Sequence, residues 1–237
     1  MAATLYLIPV ALGDSPWPHY LPQASRDIAC TLRHFAVENA KSARAELKRL
    51  DHPLPLRELS IEQIPEKPAA ADVERLLAPL RAGHDLGVMS EAGCPGVADP
   101  GALLVRRAHE LGIFVRPLVG PSSLLLALMA SGLDGQRFAF HGYLPAREPE
   151  RSRRIAELER ESQKNTQTQL FIETPYRNAA LFDALLTACR PQTLLCVASD
   201  LSLPTETVAT RRVADWRRAQ RPDLDKRPTV FLLLSAG

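Results

Sequence analysis

The chain is 237 residues long, 46% hydrophobic and 24% charged, which suits one large or two smaller folded domains and excludes a disordered or collagen-like protein. Its 29 Lys and Arg against 27 Asp and Glu leave a net charge of +2, so charge alone does not argue for a nucleic-acid partner. Cys30, Cys94, Cys189 and Cys196 are scattered, with no CxxC pair and no histidine at ligand spacing, so neither a zinc site nor a disulfide framework is expected.

The opening MAATLYLIPV has no basic segment ahead of its apolar run and does not read as a signal peptide. No apolar run approaches the length of about 18 residues that marks a membrane span, so a soluble, cytoplasmic protein is expected. TLYLIPV (4–10) and HFAVE (34–38) are short apolar runs suited to buried parallel strands. A helix from Ala40 to Leu50 follows, then a weaker strand in LRELSI (56–61). Val73, Leu76, Leu77 and Leu80 recur at helical spacing over 69–82, with Pro79 expected to kink or end that helix. DLGVMS (85–90) and IFVRPLV (113–119) are strands flanking a helix that carries Leu104, Ala108 and Leu111. Strands regularly separated by helices predict an α/β fold with a parallel sheet.

The texture changes after Val119. RFAFHGYL and LFIET read as strands separated by a charged segment, PYRNAALFDALLTACR as a helix, and TLLCVASDL, ETVATRR and RPTVFLLLS as further strands. Several lie close enough in sequence to pair antiparallel. The expected organisation is an N-terminal α/β domain, 1–119, and a C-terminal mixed-sheet α+β domain, 120–237.

Three strand-end loops carry the chemistry. The stretch from Glu91 to Pro100 is longer than an ordinary strand-to-helix connection, which favours a binding loop. Gly93, Gly96 and Gly101 match neither the dinucleotide fingerprint nor the P-loop spacing, and Glu91 and Asp99 would repel a polyphosphate. A ligand without phosphate, carrying positive charge, suits this loop better. Asp99-Pro100 has the composition of a helix start, with Asp99 as cap and Pro100 in the first helical position. VGPSS (119–123) places Ser122 and Ser123 at a helix start, and IETPYR puts Thr174 at a cap position with Glu173, Tyr176 and Arg177 around the strand end.

Together, VMSEAGCPGVADPG, PLVGPSSLLLALMASGLDGQRFAFHGYLPAR, LFIETPYR and TLYLIPVALGD resemble the tetrapyrrole methylase superfamily of S-adenosylmethionine-dependent methyltransferases over almost the whole chain. The resemblance is nearest to the branch that methylates ribose 2′-hydroxyls of small-subunit ribosomal RNA. It implies two domains with a cofactor cleft between them, S-adenosylmethionine as cofactor, and a homodimer. Carried onto this sequence, Ser90, Glu91, Ala92 and Gly93 would lie by the methionine end or ribose, with Ser122 and Ser123 as polar contacts. Leu128, Met129 and Ala130 would border the adenine, and Pro9 and Glu173 would complete the cleft.

Two stretches depart from that branch. Val10-Ala11-Leu12-Gly13-Asp14 stands where its members show Pro-Ile-Gly-Asn, and Glu38-Asn39-Ala40-Lys41 where they show Glu-Asp-Thr-Arg. The chain is also short at its C-terminus relative to longer RNA-modifying members. Both departures fall on the acceptor side, which leaves RNA or a small molecule such as a tetrapyrrole as acceptor, or a non-catalytic descendant that keeps the cofactor. A ribose acceptor needs a base within hydrogen-bond reach. Glu38 and Lys41 are the catalytic candidates, with His141 and Arg177 as further ones. The arginine-rich stretches 147–154 and 211–221 are interleaved with acids and read as solvated, ion-paired faces, while Trp216 suits either base stacking or burial.

Overall fold

Short apolar runs without alternation become strands buried on both faces. In the computed structural model, which describes residues 3–235, five short strands form a parallel sheet whose central members are such runs. They are β1 (Thr4–Leu7), β2 (His34–Val37), β3 (Ser60–Gln63), β4 (Leu86–Met89) and β5 (Phe114–Pro117), in the order β3-β2-β4-β1-β5. The connecting helices are α1 (Gln23–Ala29), α2 (Ala40–Arg49), α3 (Ala70–Leu76), α4 (Ala78–Arg81) and α5 (Ala102–Glu110). The two-residue period of a strand divides the apolar side chains between the faces. Phe35, Val37 and Met89 join Ile8, Leu47 and Leu50 on one side. Ala36, Leu86 and Val88 join Leu5, Leu76 and Leu104 on the other.

One strand differs from expectation, and one helix is interrupted as Pro79 predicts. The segment 56–61 is a strand only from Ser60 onward, because Pro55 leads into a single 3-10 turn at Leu56–Glu58. The helical pattern over 69–82 divides at Leu77, and Pro79 occupies the first turn of α4, where a missing N–H costs nothing.

The first compact unit is Met1–Ser122 and the second Ser123–Gly237. The second contains α6 (Ser123–Ser131), β6 (Phe138–Tyr143), α7 (Glu150–Asn165), β7 (Thr168–Ile172), α8 (Asn178–Ala188), β8 (Leu194–Ser199), β9 (Thr207–Arg212), α9 (Val213–Trp216) and β10 (Thr229–Leu234). Its sheet runs β6-β7-β10-β8-β9. It is mixed: β6 pairs parallel with β7, and every other pairing is antiparallel. Phe171, Phe182, Leu185, Trp216 and Phe231 lie at its core.

Trp216 is buried rather than presented to a base. Its indole N–H donates to the Leu195 carbonyl at 2.8 Å and its ring meets Phe182 edge-on. The stretch 147–154 forms the ion-paired face expected of it: Arg151 pairs with Glu148 at 2.9 Å, and Arg154 with Glu157 and Glu161 at 3.2 Å each; in 211–221 Arg211 lies over the Trp216 ring and Arg221 pairs with the distant Asp183. Arg217 donates to the Leu186 and Cys189 carbonyls and so completes the end of α8.

The buried Glu159 carboxylate on α7 accepts from the Arg190 N–H at 2.7 Å and the Thr193 hydroxyl at 2.5 Å, tying the turn after α8 to the helix. Glu159→Ala removes the shared acceptor and should destabilise the chain by about 1–3 kcal/mol in urea unfolding, the cost of one unmet buried donor, since Arg190 is exposed and the Thr193 hydroxyl can turn to Ser235. An unchanged midpoint would show that water replaces the carboxylate at no cost.

Candidate cofactor site

At the carboxyl ends of β1, β2, β4 and β5 the chain leaves the sheet in loops that interlock. Val10, just past β1, forms an antiparallel bridge with Gly93: its N–H donates to the Gly93 carbonyl at 2.8 Å, and the Gly93 N–H returns to the Val10 carbonyl at 3.0 Å. Gly93 adopts a φ of 70°, a conformation that favours glycine. Glu38, just past β2, accepts the Glu91 N–H on Oε2 at 2.8 Å. The Cys94 thiol donates to the Pro121 carbonyl at 3.3 Å, which joins this loop to the one after β5. Gly120 lies against Pro9 so closely that a Cβ there would overlap the proline ring. The structure therefore brings Pro9, Glu38, Ser90, Glu91 and Gly93 together with the VGPS loop. Pro9, Ser90 and Gly93 are buried, Ala92 and Glu91 are exposed, and Ser122 is half-buried.

Asp99 does not cap the helix. Gly101, at φ 133°, holds the position before α5, no side chain caps it, and Pro100 lies outside the helix. The Gly96 N–H instead closes the loop on the Pro100 carbonyl at 3.2 Å. Glycine takes the cap because only it accepts that dihedral, and the Asp99 carboxylate is left to turn inward. Burial pushes its pKa from 3.8 up to about 6, and the charges of Glu38 and Glu91 raise it while the Ser90 hydroxyl opposes them. Burial, followed by the charge of Asp99, likewise pushes the Cys94 thiol up. Asp99 is thus a half-buried acid facing two further carboxylates rather than the helix cap that its local pattern suggests.

The other candidates fall elsewhere. Lys41 is exposed in the first turn of α2, where Asn39 caps the helix by accepting the Lys41 and Ser42 N–H groups at 2.8 and 3.2 Å. In the second unit, Ser123 begins α6, which buries Ala127, Leu128 and Ser131 and exposes Met129 and Ala130. His141 is engaged on both ring nitrogens, by Gln169 at 2.5 Å and Arg154 at 3.3 Å. Thr174 does not cap with its side chain, and Pro175–Arg177 forms a short 3-10 turn ahead of α8. Glu173 Oε1 accepts from the Thr174 N–H and from Arg177, both at 2.7 Å. Its second oxygen is buried without a partner and awaits a donor.

Residues 90–101 contain no lysine or arginine, so no side chain there would balance a phosphate, whereas Glu91 and Asp99 would balance a sulfonium or ammonium. This donor set fits the cationic, phosphate-free S-adenosylmethionine. Among the described residues no group of three or more His, Cys, Asp or Glu is placed to hold a metal, and no helix is long and apolar enough to cross a membrane.

Comparison with known proteins agrees with this chemistry. Residues 5–216 match the model of the tetrapyrrole (corrin/porphyrin) methylases. A Xylella fastidiosa protein named ribosomal RNA small subunit methyltransferase I is 31% identical over 99% of this chain and 81% of its own length. A Pseudomonas aeruginosa protein of the same name is 29% identical over 100% and 79%. Among solved structures, the methyltransferase CobJ superposes with a TM-score of 0.63 at 17% identity over 99% of this chain and 94% of that one. Cobalt precorrin-4 methyltransferase CbiF gives 0.62 at 15% over 98% and 94%. The structural likenesses establish the shared fold, and the family match over most of the chain establishes descent: the chain belongs to the tetrapyrrole methylase family of S-adenosylmethionine-dependent methyltransferases.

Proposed function

We propose that this enzyme methylates ribosomal RNA of the small subunit on a ribose 2′-hydroxyl, in the cytoplasm, as a homodimer. The carrying observation on the donor side is the interlocked, acid-lined loop set free of lysine and arginine between Ser90 and Gly101. The names of relatives about 30% identical over nearly the whole chain support RNA as acceptor.

Pro9, Ser90, Glu91, Ala92 and Gly93 would hold the cofactor together with Ser122 and Ser123, and the second unit would contribute Leu128, Met129, Ala130 and Glu173. When bound, S-adenosylmethionine supplies a methyl group activated by its sulfonium. The chain's part is to fix the acceptor oxygen in line with that methyl and exclude water, since alignment rather than covalent catalysis provides most of the acceleration in such displacements. The Glu38–Asp99 pair accepts the hydroxyl proton. An acid titrating at about 6 is matched to proton transfer near neutral pH. Glu38 has a second task, since its bond to the Glu91 N–H holds the loop. Lys41, exposed beside it in sequence, is available to an RNA phosphate.

Labelled methyl transfer into RNA from a strain lacking the gene tests this. Label on a ribose of small-subunit RNA is expected; label entering only a tetrapyrrole would overturn the RNA assignment.

Exposed aromatic side chains on two edge strands support the dimer. Phe114 on β5 is 64% exposed, and Phe138 and Tyr143 on β6 are 43% and 59% exposed. A second copy packed on these edges would remove such side chains from water. Sedimentation equilibrium should give a dimer that Phe114→Glu with Phe138→Glu converts to a folded monomer. A monomeric wild-type chain at every concentration would contradict it.

A further inference from the structure

The cofactor loops occupy the carboxyl ends of the parallel strands. At their amino ends, in the same unit, lies a cavity of about 380 Å³ lined by Thr4, Tyr6, Arg33, His34, His84 and Asp85 among others. Nothing in the methyl-transfer chemistry uses it. Its histidines come from different elements: His34 is the first residue of β2, and His84 belongs to the turn that enters β4. Their ring centroids are 5.3 Å apart with the planes tilted by 32°.

We propose that this cavity is an anion site that binds a phosphate group between His34, His84 and Arg33. The charge balance explains why an anion is the suitable occupant. Asp85 is committed to the Thr4 N–H at 2.7 Å, and Glu62 is ion-paired with Arg75. With His34 neutral, Arg33 and Asp85 cancel. A proton on His34 adds a positive charge beside Arg33, and a bound anion favours that state.

Burial lowers the pKa of His34, the charges of His84 and Arg33 lower it further, and Glu62 opposes them. Near neutral pH the free site is therefore uncharged at His34, and an anion that arrives brings a proton with it. Binding strengthens as pH falls toward 6. Arg33 supplies the planar donor fork suited to phosphate oxygens, and the imidazoles supply N–H donors from a second direction. The phosphate can belong to a polynucleotide backbone or be free in solution.

The full-length chain is titrated by NMR at its histidine ring protons, first with inorganic phosphate and then with a single-stranded oligouridylate. Saturating ligand should raise the pKa of His34 by roughly one unit, the scale of a close opposite charge. His84→Gln and Arg33→Gln, both at exposed positions, should each weaken binding about tenfold, a loss on the scale of one charge-assisted hydrogen bond, without altering the circular dichroism spectrum. Shifts at lower oligouridylate than phosphate concentration, weakened by salt, assign the site to a polynucleotide backbone; shifts with phosphate alone assign it to the free ion. Histidine pKa values unmoved by either probe, or Zn²⁺ binding there in place of both, overturn the proposal. These readouts are independent of S-adenosylmethionine, so failure here leaves the methyltransferase function standing, and the reverse also holds.

Discussion

Gly120→Ala should lower the melting temperature and abolish S-adenosylmethionine binding together. The added Cβ would overlap the Pro9 ring and come within 3.3 Å of Leu21 Cδ1. Leu21 can rotate away, but Pro9 is a rigid ring at a buried strand end and cannot. Relief requires the loops after β1 and β5 to separate. Overpacking of this kind costs about 1–3 kcal/mol, and in a chain of this size each kcal/mol lowers Tm by roughly 2–4 °C. Separation also pulls Pro121 from Cys94 and loosens the loop that Gly93 anchors. Gly135→Ala is the control, because nothing lies within 4 Å of its Cβ position. Calorimetric unfolding and a binding titration on both variants read the outcome; a Gly120→Ala protein with unchanged Tm and affinity would mean that the Pro9 contact yields freely.

Asp99→Asn should remove a pH dependence that the wild-type chain shows around pH 6. The carboxyl titrates near 3.8 when unfolded and at about 6 when folded. Between these values the folded chain holds the extra proton, so stability falls as pH rises from about 4 to about 6 and then levels off. The asparagine variant lacks that fall, and relative to wild type it gains stability above pH 6 and nothing at pH 4. Cofactor affinity should move the opposite way. Above pH 6 the ionised Asp99 faces Glu38 and Glu91 without a cation, and a sulfonium relieves the repulsion, so wild-type affinity rises through pH 6 and the variant's stays flat. Glu38→Gln removes the charge that ranks next after burial and should lower the Asp99 pKa, which carboxyl-carbon NMR reads directly. A wild-type affinity independent of pH between 5 and 7.5 would separate Asp99 from the cofactor.

How much was legible in the sequence depended on the range of the interactions involved. β1, β2, β4 and β10 are apolar runs whose own composition requires burial, and they form where they were expected. β3 is displaced because Pro55 starts a 3-10 turn that composition alone reads as strand. Asp99-Pro100-Gly101 has every local mark of a helix start. The choice between aspartate and glycine as cap is made by a dihedral that only the packed loop imposes. The partners of Asp99 are equally hidden, because Glu38 reaches it from the end of a different strand. Thr174 likewise does not cap with its side chain: the Arg177 N–H turns back to the Thr174 carbonyl instead, at 2.9 Å. Loop length, the glycine spacing and the acids Glu91 and Asp99 indicated a cationic, phosphate-free ligand; resemblance supplied its identity.

Isothermal titration with S-adenosylmethionine at pH 7.5 tests the cofactor site most directly. Saturable binding is expected that weakens at pH 5 and disappears in Gly120→Ala, while Gly135→Ala matches wild type. No binding at millimolar S-adenosylmethionine, or equal affinity in Gly120→Ala, would contradict the assignment of these strand-end loops to the cofactor.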